Sequence, residues 1–278
     1  MGPAGCRQAP AAARAPQRIV ALAPSLTETV FALGLGPRVV GVGDFSRFPP
    51  EARTRPKLGG LFNPNLEGIV ALRPDLVVLL PSERDLADKL GKLGIASIIV
   101  RNEDVNDVEH GFTLIADRCG VPETGRRLAE QFHRDLVPRA ASSKPAKPQK
   151  VVLSVGRQVG RLTDLLVAGP GTFYDALLTR LGAENVFADA PVHYPQVALE
   201  EVLARAPDVI LEIREDQPAP AAVRQLTTDW WGLPQLQAAS RARVYVLSGD
   251  YVMVPGPRLP RLYREMGAAL DTAARERK

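Results

Sequence analysis

The chain has 278 residues, 45% of them hydrophobic and 24% charged, with 35 Lys and Arg set against 31 Asp and Glu for a formal net charge of +4. That is long for one core and comfortable for two domains of roughly 100–150 residues in a soluble globular protein. No apolar run approaches the roughly 18 residues of a membrane span, and the basic residues form no long stripe of the kind that tracks a phosphate backbone, so membrane-spanning and nucleic-acid-binding classes are set aside.

Residues 1–16, "MGPAGCRQAPAAARAP", are small, Pro/Ala-rich and without hydrophobic periodicity, so they read as a leader outside the fold. Around Cys6, "AGC" is similar to the end of a bacterial lipoprotein signal, whose cysteine is lipidated; the hydrophobic stretch that should precede it is missing, and a tag or linker is the alternative. "RIVALAP" (18–24) then predicts a strand, and "SLTETVFALGLG" a helix with Ser25 or Thr27 as its cap and a glycine stop. "RVVGVG" (38–43) predicts a second strand, and "LADKLGKLG" followed by "IASIIV" a further helix and strand. This alternation predicts a parallel sheet in a first lobe over residues 17–121.

From about 106 to 142 the period is helical without interruption, and residues 122–142 are expected to form the helix that connects the lobes. Alternation resumes in a second lobe, 143–278, with "VVLSVG", a turn at "GPGT" from which Thr172 caps a helix, the strands "DVILEI" and "RVYVLS", and a closing helix from "PGPRLPRLYRE". "GPGT" lacks both the Lys-Ser/Thr of a P-loop and the pattern of a dinucleotide fold. The expected fold is therefore α/β, with two small parallel-sheet lobes joined by one long helix and a ligand cleft between them.

One unit occurs in both halves. "NLEGIVALRPDLVVLL" (65–80) and "ALEEVLARAPDVILEI" (198–213) superpose with Glu67 on Glu200, Pro74 on Pro207 and Asp75 on Asp208. Each copy predicts a short helix with a carboxylate in its first turn, where the dipole favours it, a proline stop, and a strand. In two lobes the copies place two separated carboxylates in equivalent positions, which suits a symmetric partner with two cationic sites.

Chemistry-bearing side chains fall in loops at strand ends: Phe45 and Phe48 in "GDFSRFPP", Phe62 in "GGLFNPN", Tyr194 in "VHYPQV", and Tyr251 in "SGDYVMVPGPR". Open α/β sheets bind ligands beyond the carboxyl ends of their strands, and aromatic faces supply apolar contact at little entropic cost. His110, His133 and His193 lie far apart, so no metal site is expected, with His193 beside Tyr194 a candidate for the metal of a bound ligand. No nucleophile and base order or paired-carboxylate signature marks an enzyme.

With these residues assembled, the chain resembles the cobalamin-binding proteins of ABC importers, the vitamin B12 class of helical-backbone (class III) substrate-binding proteins. The resemblance runs from "RIVALAPSLTETVFALGLG" through "VVGVGDFSRFPPEA", "GGLFNPNLEGIVALRPDLVV" and "GPGTFYDALLTRLGAENVFAD" to "YPQVALEEVLARAPDVIL" and "PGPRL". It implies a periplasmic or extracytoplasmic, non-enzymatic, monomeric receptor, lipid-anchored if Cys6 is acylated, that carries cobalamin or a related corrinoid to a permease dimer. It implies no resident cofactor. It also implies that Glu67 and Glu200 dock on arginines of the permease, and that Pro24, Phe45, Phe62, Tyr194, Asp250 and Tyr251 line the ligand. Where relatives often place tryptophans this chain has Leu61 and Leu80, and with only Cys119 inside the fold the second-lobe disulfide of some relatives cannot form. Haem, with Tyr194 or His193 as axial ligand, and an anionic ferric siderophore, met by Arg157, Arg161 or Arg258, are the alternative cargoes. An intracellular α/β enzyme is the rival from another class.

Overall fold

The computed structural model describes residues 15–137, 147–231, 233 and 243–276. The first lobe runs β1 (Ile19–Ala21), α1 (Pro24–Ala32), β2 (Val39–Val42), the short hairpin β3 (Gly59–Gly60) and β4 (Asn63–Pro64), α2 (Leu66–Ala71), β5 (Leu76–Leu79), α3 (Arg84–Lys92) and β6 (Ser97–Ile99). Its main sheet has the order β2-β1-β5-β6 and is parallel throughout. The central strands are apolar on both faces because both are covered. Val20, Val77 and Leu79 face Leu58, Ile69 and Leu90, while Ala21 and Val78 pack on the side of Leu26 and Val30.

Helix α1 begins differently from the expectation. Its N-cap is Ala23, with no side-chain cap, and Pro24 occupies the first turn, where its fixed φ is already helical. Thr27 turns inward instead. Its Oγ1 lies 3.1 Å from the carbonyl oxygens of Ala21 and Ala23 and 2.8 Å from the buried Ser46 Oγ, tying the β1–α1 turn to the loop after β2.

Two helices follow, α4 (Val105–Arg118) and α5 (Pro122–Asp135). The start of α4 belongs to the core of the second lobe through Val105, Val108 and Phe112, and its end belongs to that of the first through Ile115, Ala116 and Cys119. Phe112 meets Phe132 of α5 edge-on, with centroids 5.1 Å apart. The two axes approach closely at Gly125, where an added Cβ would sit 2.3 Å from the Ala116 Cβ. Thus α5 falls within the expected connector and α4 braces it; residues 138–142 of that segment lie outside the described residues.

The second lobe runs β7 (Lys150–Gly156), β8 (Leu165–Val167), α6 (Phe173–Leu181), β9 (Glu184–Asn185), β10 (Gln196–Val197), α7 (Leu199–Arg205), β11 (Val209–Arg214), α8 (Pro220–Trp231), β12 (Val244–Ser248) and α9 (Leu259–Arg275). Its sheet order is β10-β8-β7-β11-β12, with β9 also on β7. The strands β7, β9, β11 and β12 are parallel, whereas β8 is antiparallel to β7 and β10 to β8. The segment from β7 to β8 is too short for a crossover helix, so the chain can only return antiparallel.

Candidate functional site

The repeated unit is the same object in both lobes. Asn65 caps α2 by accepting a hydrogen bond from the Gly68 N–H at 2.9 Å, whereas α7 starts from Ala198 without a side-chain cap. Arg73 (φ 46°) and Ala206 (φ 48°) take the left-handed conformation at equivalent places, and the buried Pro74 and Pro207 follow them. The Asp75 carboxylate accepts from the Gln17 and Arg18 N–H groups at 2.8 and 2.9 Å, and Asp208 accepts from the Lys150 N–H at 3.0 Å. Each aspartate stitches its copy to the start of the neighbouring parallel strand, β1 or β7.

Glu67 and Glu200 are exposed in the first turns of α2 and α7. Neither has an ion-pair partner among the described residues, whereas the adjacent Glu201 is held by Arg205 at 3.0 Å. Both are therefore available to an external cation.

The parallel strands of both lobes end on a shared cleft. A cavity of about 360 Å³ is lined by Phe45 and Arg47, from the loop after β2, and by Val155, Ile213, Arg214 and Met253 at the ends of β7, β11 and β12, with Glu215 and Asp216 completing it. Arg214 is fixed by Asp216 at 3.0 Å and donates to the Arg157 carbonyl at 2.9 Å. Phe45 is 58% exposed and Phe62, at the tip between β3 and β4, is 94% exposed, so both rings present free apolar faces. Pro24, at the start of α1, is half-buried.

His193 and Tyr194 lie against the start of α6. The Thr172 Oγ1 caps that helix by accepting from the Asp175 N–H at 3.2 Å. Gly171, at φ 70°, must be glycine, since a Cβ would also meet the His193 ring at 2.8 Å. The His193 Nδ1 is 2.8 Å from the Pro170 carbonyl, so Nδ1 donates, and it is the Nε2 of the neutral ring that carries the lone pair. Beside it Tyr194 is partly exposed, and the buried Tyr174 donates to the Val252 carbonyl at 2.7 Å in the loop after β12. Burial first, and proximity to Tyr194 second, push the Tyr174 phenol well above its ordinary range.

Several expectations require correction. Tyr251 is only 2% exposed: its hydroxyl bonds Glu265, and its ring is covered by the Arg261 guanidinium at 4.0 Å, so it packs on α9 and offers no face to a ligand. Burial, then the bond to Glu265, push its phenol up to about 12. Arg157 is equally withdrawn. Its side chain is fully buried, 2.5 Å from Glu212 and 2.8 Å from Asp229, beneath Trp230. Arg258 is taken up by Glu28 and Asp250, leaving Arg161 as the exposed member of the three arginines considered for an anionic cargo. Asp250, in the loop after β12, is partly exposed and paired with Arg258; it is not among the residues that line the cavity. Cys119 is a buried free thiol, pushed by burial up to about 11, and Cys6 lies outside the described residues.

Two lobes, a brace of helices and a cleft at strand ends are a recurrent architecture, and the sequence matches a family model described as periplasmic binding protein over residues 19–251. The chain belongs to the periplasmic binding protein family. It is 29% identical over 249 residues to a vitamin B12-binding protein of Pectobacterium carotovorum, covering 88% of this chain and 84% of that one. To a vitamin B12-binding protein of Salmonella typhimurium it is 34% identical over 197 residues, 70% and 71% of the two chains. Its structure is similar to that of the periplasmic vitamin B12 binding protein of Vibrio cholerae, with a TM-score of 0.78 and 26% identity over 93% of this chain and 98% of that one. A periplasmic haem binding protein from Pseudomonas aeruginosa gives a TM-score of 0.76 and 28% identity, over 91% and 92%. As a periplasmic binding protein the chain serves transport outside the cytoplasm, holding a substrate for an ABC transporter. Among the described residues no group of three or more His, Cys, Asp or Glu could hold a metal ion, and no helix is long and apolar enough to cross a membrane.

Proposed function

We propose that this periplasmic binding protein captures cobalamin or a related corrinoid in the interlobe cleft, as a monomer without a resident cofactor, and delivers it to a permease dimer that docks on Glu67 and Glu200. In this reading Cys6 carries the lipid anchor. The observation that carries the cargo assignment is the charge balance of the cleft. On the cavity wall Arg214 is paired with Asp216, Glu215 sets a second carboxylate on the wall that carries Arg47, and Arg157 and Arg258 are neutralised by their own carboxylates. An anionic siderophore needs uncompensated cations, because stripping its water must be offset by charge pairing. A bulky cargo with apolar faces and an amide rim suits the exposed ring of Phe45 on the cavity wall, and in this reading the exposed rings of Phe62 and Tyr194 and the Asp250 carboxylate join it. The vitamin B12-binding relatives support the same cargo.

Haem is the second reading, favoured by the lone pair on the His193 Nε2 and by the haem-binding protein of similar fold. Calorimetry of the purified protein against cyanocobalamin and haemin separates the two. One-to-one, submicromolar cyanocobalamin binding with weak haemin binding is expected; tighter haemin binding that is lost in His193→Ala transfers the assignment to haem.

A further inference from the structure

We propose that Arg258 is an interlobe clasp that sets the width of the cleft and holds Asp250 ready for the cargo. The second half of this statement rests on the reading of the cleft as the cargo site. Arg258 is the residue from which α9 begins, so its backbone belongs to the second lobe. Its guanidinium does not stay there. Nε and Nη2 donate to the two oxygens of Glu28 on α1 of the first lobe, at 2.8 and 2.6 Å, in the parallel two-bond geometry that makes arginine–carboxylate pairs strong and directional. The same group stacks on the ring of Phe48, also of the first lobe, with its central carbon 4.0 Å from the centroid. The remaining donors turn back to their own lobe, with Nη1 2.6 Å from the Asp250 Oδ1 and Nη2 3.1 Å from the Asp250 carbonyl.

One side chain therefore reads the position of both lobes and fixes a partly exposed carboxylate in the loop after β12. Glu28 is only 4% exposed, so a carboxylate there without Arg258 would be a buried charge without compensation. The backbones meet at the same point. A Cβ on Gly256 would lie 3.5 Å from the Ser25 Cα, and the Ser25 Oγ accepts from Asn102, just ahead of the helix brace. The clasp can still be reached by solvent. Glu28 and Phe48 also line a surface groove of about 640 Å³ with Phe31, Pro37 and Arg55, which shares no lining residue with the cleft cavity. Moving the lobes apart breaks the bidentate pair with Glu28 while the bonds to Asp250, within one lobe, persist, so the width of the cleft, and with it the grip on the cargo, depends on the Glu28 pair.

The test measures lobe separation without needing the cargo. Spin labels at Asp88→Cys on α3 and Arg224→Cys on α8, both exposed sites, in a Cys6→Ser background of the full chain, report the interlobe distance by pulsed electron paramagnetic resonance. Arg258→Met and Glu28→Gln are expected to broaden and lengthen the distance distribution while circular dichroism stays unchanged. Both should also weaken cyanocobalamin binding about tenfold or more. Distributions that coincide with the unsubstituted protein overturn the clasp; if Arg258→Met fails to fold, the shape-conserving Glu28→Gln decides alone. Longer distances with unchanged affinity overturn the positioning of Asp250. Should the unsubstituted protein not bind cyanocobalamin at all, the cargo reading falls and the distances still judge the clasp.

Discussion

At the scale of single residues, the chain separates charges that hold the fold from charges that face outward, and residue type alone does not distinguish them. Arg157 follows a strand in a polar stretch, as a ligand-binding arginine would. It is instead the centre of a buried cluster: Glu212 accepts from Arg157 and from the Trp230 indole, each at 2.5 Å, and Asp229 accepts from Arg157, Gln225 and the Gly160 N–H. Burial opposes the charge on Asp229, but the bonds from Arg157, Gln225 and Gly160 outweigh it and hold the carboxyl below its ordinary range. The cluster closes the loop after β7 onto α8, with the Leu226 carbonyl accepting from Nη2 at 2.8 Å. Removing the cation leaves two carboxylates uncompensated. Arg157→Met is therefore expected to cost about 3–5 kcal/mol, read from urea unfolding followed by tryptophan fluorescence. A loss below about 1 kcal/mol, the range of exposed pairs, would mean that the cluster is solvated.

At the scale of elements, the helix–strand unit was legible because everything that defines it is contiguous. The dipole-facing glutamate, the proline stop and the strand-leading aspartate recur in the same order, and the structure adds the left-handed Arg73 and Ala206 that each proline follows. The two aspartates act alike, so Asp75→Ala and Asp208→Ala should each cost about 1–2 kcal/mol through lost bonds to strand N–H groups. Being in separate lobes, the two losses should add in thermal or urea unfolding of the double variant; a shortfall would reveal coupling between the lobes. What was not legible is equally specific. The strands β8 and β10 have three and two residues, too few for a period to show. Ser25 and Thr27 looked like caps because the sequence does not say that Pro24 already begins the helix. Tyr251 follows a strand as a ligand residue would, but the turn at Gly249, with φ 144°, sends its ring toward α9. Glu28 and Arg258 lie 230 positions apart, and no local pattern joins them.

At the scale of the whole molecule, the two lobes share more than a tether. The α4–α5 pair contributes to both cores, and the clasp joins α1 to the start of α9, so a rigid body with limited opening is the mechanical expectation. In such a body the distance between Glu67 and Glu200 is nearly constant, which suits the docking proposed above, with each lobe presenting one exposed carboxylate to one subunit of the partner. Neither glutamate belongs to the cleft lining, so binding of cargo and docking can be separated by mutation. Glu67→Ala combined with Glu200→Ala is expected to leave cyanocobalamin affinity within about twofold, since no cleft contact changes, and to abolish uptake measured with labelled cobalamin in reconstituted vesicles. Each single variant keeps one arm and should retain partial uptake that falls further as salt is raised, because the remaining pair is exposed and screened. Normal transport by the double variant would remove the docking role from both residues, and the repeated unit would then be only the most compact way to join a helix to a parallel strand.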